Sequence, residues 1–250
     1  MKKKLIAKKK ENKSAKRNIW LLAVGLILLI FSRLYSSGIY NGMKNEIYFI
    51  LLLISAGVFY AGLFLVVDKP YINSWRYLKE SKNYFYFVVF LFIFSAILGF
   101  IFSEKLGFLD EILKELIKKT QDLGTLELFD FILLNNIQVS FLGLFLGLLF
   151  GIFSFFNAFA NGLVLGYVFH GVWTASGLRE FWRILPHGIF ELPAIFISLG
   201  LGIKLGMFAF SKGRENLVKR AYNSLLVFLF VIVPLLIVAS VIESLLINLL

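Results

Sequence analysis

His187 and Glu191 stand one helical turn apart in the run Leu185-Pro186-His187-Gly188-Ile189-Phe190-Glu191-Leu192-Pro193-Ala194, within an otherwise apolar stretch. Residues four apart share a helix face, so imidazole and carboxylate would meet there. One reading is a buried ion or proton site, because histidine titrates near neutrality and a neighbouring carboxylate favours its charged form. The other is structural: Glu191 accepts hydrogen bonds from the outer half of a helical bundle, from Arg183 or Asn136, and holds a bent helix in place. Pro186 suits a helix start, while Pro193 lacks the N–H that would bond the carbonyl of Ile189, which predicts a kink or an irregular beginning.

Other chemistry finds little support. The His/Glu pair offers two ligands, fewer than a zinc site needs, and there is no HExxH. The chain has no cysteine and only one further histidine, His170, which excludes thiol nucleophiles, disulfides and zinc–cysteine sites. Neither a metal nor a cofactor is expected. A Gly-rich phosphate loop, a G-x-S-x-G elbow and paired intramembrane aspartates are all missing, which argues against an enzyme. The remaining polar groups of interest are amides: Asn135 and Asn136, read as opening a fourth span, and Asn157 and Asn161, beside Gly162, near a turn. Gly143, Gly147 and Gly151 form two small-xxx-small steps, as Gly162–Gly166 and Gly202–Gly206 each form one. Close helix packing accounts for these glycines, and a homo-oligomer is compatible with them.

The elements that must position these residues follow from composition. Of 250 residues, 59% are hydrophobic and 16% charged, against roughly 45–50% and about 25% for soluble domains. Lipid is the implied solvent. A span needs about 20 apolar residues, and seven stretches qualify, near 19–35, 47–67, 84–102, 133–153, 157–176, 186–210 and 222–248. Residues 137–176 carry no charge and are too long for one span, so a reversal is expected near 154–157, where Ser154 and Asn157 provide turn chemistry. The fold class is thus an all-α polytopic membrane bundle of about seven helices.

Orientation follows the Lys/Arg bias of the loops. Residues 1–18 carry Lys2, Lys3, Lys4, Lys8, Lys9, Lys10, Lys13, Lys16 and Arg17, which places this basic tail in the cytoplasm. Threading seven spans then puts Lys69, Arg76, Lys79, Lys82, Lys212, Arg214, Lys219 and Arg220 inside, and fewer basic residues outside. The C-terminus falls outside. The net charge of +11 reads as topology and attraction to anionic lipid, not as a nucleic-acid surface.

Residues 103–130, outside by this threading, are more than a linker. Phe108, Leu109, Ile112, Leu113, Leu116 and Ile117 recur at helical spacing, and Asp110–Lys114 and Glu115–Lys119 are acid-first i,i+4 pairs. An extracytoplasmic amphipathic helix in the outer interface is expected. It is either packing for the bundle mouth or a docking surface for a membrane or extracytoplasmic protein.

Asn135-Asn136, the Gly-rich fourth span, Asn161-Gly162-x-x-x-Gly166 and above all LPHGIFELPAIFISLGLGIKLG at 185–206 together resemble the stage II sporulation protein M family. The resemblance covers about 81–250 as a five-span core. It leaves 1–18 as a basic tail and 19–80 as a two-span extension. It implies an all-helical membrane domain without established enzyme activity, and the namesake looks like a scaffold that brings peptidoglycan-degrading partners to the membrane during engulfment. Family positions correspond to His187, Gly188, Glu191, Asn161 and Gly162, without a chemical role attached. Two functions stay open: a non-enzymatic scaffold in the cell membrane, or a transporter or channel component built on the Pro-interrupted sixth span and its His187/Glu191 pair.

Orientation is directly testable in a chain that has no cysteine of its own. Single reporter cysteines at 115 and 180 should react with an impermeant reagent in intact cells, and those at 75 and 215 should be protected. The opposite pattern would invert the topology.

Overall fold

The structure is a computed structural model that describes residues 19–30, 32, 45–121, 123–177, 181–210 and 217–249. The basic tail 1–18 lies outside the described residues. Among the described residues every regular element is a helix. In order these are α1 (Ile19–Ile30), α2 (Asn45–Val66), α3 (Pro70–Glu80), α4 (Lys82–Ile101), α5 (Leu109–Thr120), α6 (Thr125–Phe145), α7 (Ile152–Ser176), α8 (Phe181–Gly206), α9 (Leu217–Val227) and α10 (Val233–Leu249). They fall into two compact units, residues up to Pro70 and residues from Tyr71 onward.

Five helical segments among the described residues are long and apolar enough to cross a membrane: Lys82–Ile101, Thr125–Leu148, Ile152–Ala175, Gly188–Phe210 and Leu217–Ile247. The number reaches six if Ile50–Val66 and Pro70–Glu80 count as one interrupted span. At about 1.5 Å per residue the described part of α1 falls well short of a bilayer's thickness. In the first unit α1 and α2 pack through reciprocal glycines. A Cβ at Gly25 would strike the backbone of Phe59, and one at Gly62 the backbone of Leu22.

Three boundaries differ from the sequence expectation. The fourth span begins at Thr125, not near 133, because Glu127 belongs to the helix: its carboxylate accepts the Gly124 N–H at 3.1 Å. An acid in the first turn meets unpaired backbone N–H groups and the positive end of the helix dipole. Asn135 and Asn136 are therefore mid-helix residues. The next reversal falls at 149–151 rather than 154–157. There Phe150 and Gly151 both take positive φ, 56° and 74°, which only the glycine adopts without steric cost. Ser154 instead lies buried inside α7 and donates across the turn to the Gly143 carbonyl at 2.7 Å. Finally, α8 begins at Phe181, so Pro186 sits in its second turn and does not open it.

The central element of the second unit is α8, more deeply buried than any other candidate span. It packs on α4, α6, α7 and α10, and α4 pairs most extensively with α7. Val88, Leu91, Phe92, Ala158, Ile195, Phe196 and Leu199 form a core where α4, α7 and α8 meet. Glycines bring these backbones into contact. A Cβ at Gly162 would run into Phe92 and Ser95, one at Gly166 into the Ala96 carbonyl, one at Gly147 into Gly202, and one at Gly206 into Gly147 and Gly151. The small-xxx-small spacing in the sequence is this packing. Between α9 and α10 the helix widens into a π turn at Phe228–Ile232. Pro234 follows at once, and its missing N–H would have left the Phe230 carbonyl without an α-helical partner.

These contacts predict opposite outcomes for one substitution at two sites. Gly166→Ala should lose roughly 1–3 kcal/mol through overpacking against α4. Gly171→Ala, five residues on, meets nothing within 4 Å; it should be neutral or stabilising by up to about 1 kcal/mol through helix propensity. Thermal unfolding of the two purified variants compares them; equal destabilisation would refute the backbone contact.

Candidate functional site

Glu191 sits in the third turn of α8, partly buried, where the Asn136 amide of α6 donates a hydrogen bond to it. Asn136 is 8% exposed. A third helix joins them, since Glu243 of α10, also partly buried, lies close enough to Glu191 to interact electrostatically. Buried hydroxyls continue this seam. Ser140, one turn after Asn136, accepts at its carbonyl the Ser198 hydroxyl of α8 at 2.5 Å, and Ser240 and Ser244 line the same stretch of α10. Among the described residues the Ser140 and Ser240 hydroxyls have no hydrogen-bond partner. The arrangement gathers two carboxyls, an amide and several hydroxyls from three helices in one buried place. It can clamp three helices together.

The other residues singled out from the sequence do not converge there. Asn161 is exposed on α7 and bonds only one turn back, to the Asn157 carbonyl at 2.8 Å and its side-chain oxygen at 3.0 Å. Gly162 serves the α4 contact. Gly188 is partly buried with, among the described residues, only Leu192 near the position of a Cβ, and Pro193 is partly buried within an uninterrupted helical segment. The side chains of Arg183, Pro186 and His187 lie outside those described, so the proposed His187–Glu191 contact does too. No group of three or more His, Cys, Asp or Glu suited to a metal ion occurs among the described residues.

A second polar centre, not anticipated from the sequence, lies near the other end of α8. Lys204 is only 7% exposed. Its ammonium donates to the Ser81 hydroxyl at 2.9 Å and lies 3.7 Å from the centroid of the Tyr77 ring. Ser81 passes the bond on to the Tyr77 carbonyl at 2.7 Å. Arg220 of α9, likewise buried, donates to the Lys204 carbonyl at 3.0 Å, in the last turn of α8 where helix carbonyls lack partners and positive charge is favoured. The available signal was a lysine inside an apolar span, which must be paired or reach an interface. Its partners on α3 and α9 could not be read from spacing.

The apolar stripe at the α6 end of the bundle also splits. On α5, Leu109 is buried and Leu113 partly buried, whereas Phe108, Ile112, Leu116 and Ile117 are exposed. The helix is tied to the bundle through Asp110, which accepts the Tyr167 hydroxyl of α7 at 2.5 Å.

A family model described as Stage II sporulation protein M matches residues 88–246, the stretch holding α4 through α10. No curated protein and no solved structure matches the chain.

If Glu191 clamps α8 to α6, Glu191→Gln should keep most of the stability, and Glu191→Leu should lose roughly 1–3 kcal/mol by stranding the buried Asn136 amide. Thermal melting of both variants beside the wild type measures this. Equal losses would show that the hydrogen bond contributes nothing of its own.

Proposed function

From its membership of the stage II sporulation protein M family, to which this chain belongs, we propose that it acts as a non-enzymatic integral membrane scaffold that recruits or positions a protein partner at the cell envelope. The observation that carries this reading is the packing of the bundle, in which glycines let α4 lie against α7 and the α6–α7 connection against α8, backbone to backbone. A scaffold needs a rigid frame, and close backbone packing supplies one. The frame presents α5, held by Asp110 and Tyr167, with Ile112 and Leu116 outward. We take this exposed stripe as the surface that meets a membrane-bound or extracytoplasmic protein partner. The lysine and acid pairs beside it keep the helix from inserting.

Seven spans with the N-terminus inside is the topology we propose. It requires α1 and α2 each to cross. It also places α3, the start of α9 and the Lys204 end of α8 in the cytoplasmic half, where the basic residues gather. A transporter or channel component is the second reading, favoured by the Asn136, Glu191 and Glu243 seam and its two hydroxyls without a hydrogen-bond partner among the described residues.

Complementation of a deletion strain separates the two. Ile112→Asp with Leu116→Asp should abolish complementation with normal membrane insertion, and Glu191→Gln should retain it. A photocrosslinker at 112 should give one discrete protein adduct in cells. Loss of complementation in well-folded Glu191→Gln, with the α5 variant active, would replace the scaffold with the transport reading.

A further inference from the structure

At the Lys204 end of the bundle, α3 and α9 enclose a polar cleft of about 290 Å³ lined by Asn73, Arg76, Tyr77, Glu80, Lys219 and Asn223. Its volume is near the lower end for small-molecule pockets, which suits a headgroup and not a whole lipid. Two cations and one carboxylate face it, and the ring of Tyr77 carries the Lys204 ammonium, with Arg220 next in sequence to Lys219. The lining side chains thus carry one more positive charge than negative. Two amides add neutral donors, and the Arg76 guanidinium donates to the Asn73 side-chain oxygen at 3.4 Å, which keeps these two lining residues together. A guanidinium, an ammonium and amide donors converging in one place match the oxygens of a phosphate.

The same helix shows where that phosphate comes from. Ile72 and Trp75 stand more than half exposed on α3, away from the buried Ser74 and Tyr77. An exposed tryptophan beside charged residues at the end of a span marks the level of lipid headgroups. The adjoining spans start at Lys82 and Leu217, so the cleft opens at that level. The geometry points to a site for the phosphate of an anionic phospholipid headgroup, held by Arg76 and Lys219. This rests on the membrane reading but not on the scaffold function or on which face is cytoplasmic.

The test uses the full chain purified in mild detergent, with thermal stability followed as phosphatidylglycerol, phosphatidylcholine or inorganic phosphate is added. Phosphatidylglycerol should raise the midpoint and phosphatidylcholine should not. In the Arg76→Gln, Lys219→Gln double variant, half-saturation should need about thirtyfold more phosphatidylglycerol, from the typical worth of two basic residues at a lipid surface. A control with the same charge loss on another helix, Lys114→Gln with Lys118→Gln on α5, should titrate like the wild type. Should the double variant not fold, Lys219→Gln alone is compared by native mass spectrometry for the number of phosphatidylglycerol molecules retained, with fewer expected than on Lys114→Gln. Equal titration of both double variants, or equal retention by both single ones, overturns the site. Inorganic phosphate that stabilises equally and displaces the lipid would assign the cleft to a soluble phosphate and overturn the lipid source.

Discussion

Direct contact between helix backbones is the constraint on which the rest of this bundle depends. Lipid tails are as apolar as leucine, so no hydrophobic gain drives one span against another inside the bilayer; packing and polar contacts must do so. Gly162 and Gly166 bring α7 onto α4, and Gly147, Gly202 and Gly206 bring α8 onto the end of α6 and the turn after it. At such distances serine hydroxyls reach backbone carbonyls on neighbouring segments, as Ser154 reaches Gly143 and Ser198 reaches Ser140. Polar side chains then reinforce an approach that the glycines make possible.

With its backbone hemmed in, α8 carries ionisable groups toward both ends, Glu191 and Lys204, roughly 20 Å apart along the axis. A lysine at the centre of a span costs about 2.5–3.5 kcal/mol on insertion scales. Lys204 avoids the centre and is answered from two sides, by a hydroxyl and by an aromatic face worth about 2 kcal/mol when desolvated. Glu191 is answered by an amide from α6. Each answer comes from a different helix, so α8 is tied to its neighbours at two levels. The polar groups thereby set register, which apolar packing alone defines poorly.

Much of this was legible in the sequence, for reasons that differ from residue to residue. Apolar runs of bilayer length reveal spans because every backbone polar group must be satisfied internally. The family resemblance rested above all on the run 185–206 and on glycine spacing, and among its glycines Gly162, Gly166, Gly202 and Gly206 make the close backbone contacts. Asn136 was one of two partners the sequence offered for Glu191, beside Arg183, because unpaired polar groups are costly in lipid. Boundaries were harder, since Glu127 and Asp130 look like loop residues until one sees that the first turns of a helix welcome acids. The Gly151 reversal was hidden among glycines of similar spacing. Lys204, Tyr77 and Arg220 come from three segments far apart in the chain, a convergence no local pattern encodes. The continuity of α8 through Pro193 shows that a proline's lost hydrogen bond is tolerable where neighbouring helices hold the segment.

The π turn at Phe228–Ile232 has a meaning for chain length. An α-helix advances about 100° per residue, and a π turn less, so five π residues rotate the remainder of the helix by roughly a quarter turn relative to a straight one. Arg220 lies before this turn and Glu243 after it, and each meets its own end of α8. Both meetings hold only at the present phase. A deletion that tightened the turn into regular helix would swing one of the two away, with every side chain unchanged in kind. Loss of one residue there would therefore disturb more than a change of one side chain, because it resets the phase of everything that follows the widened turn.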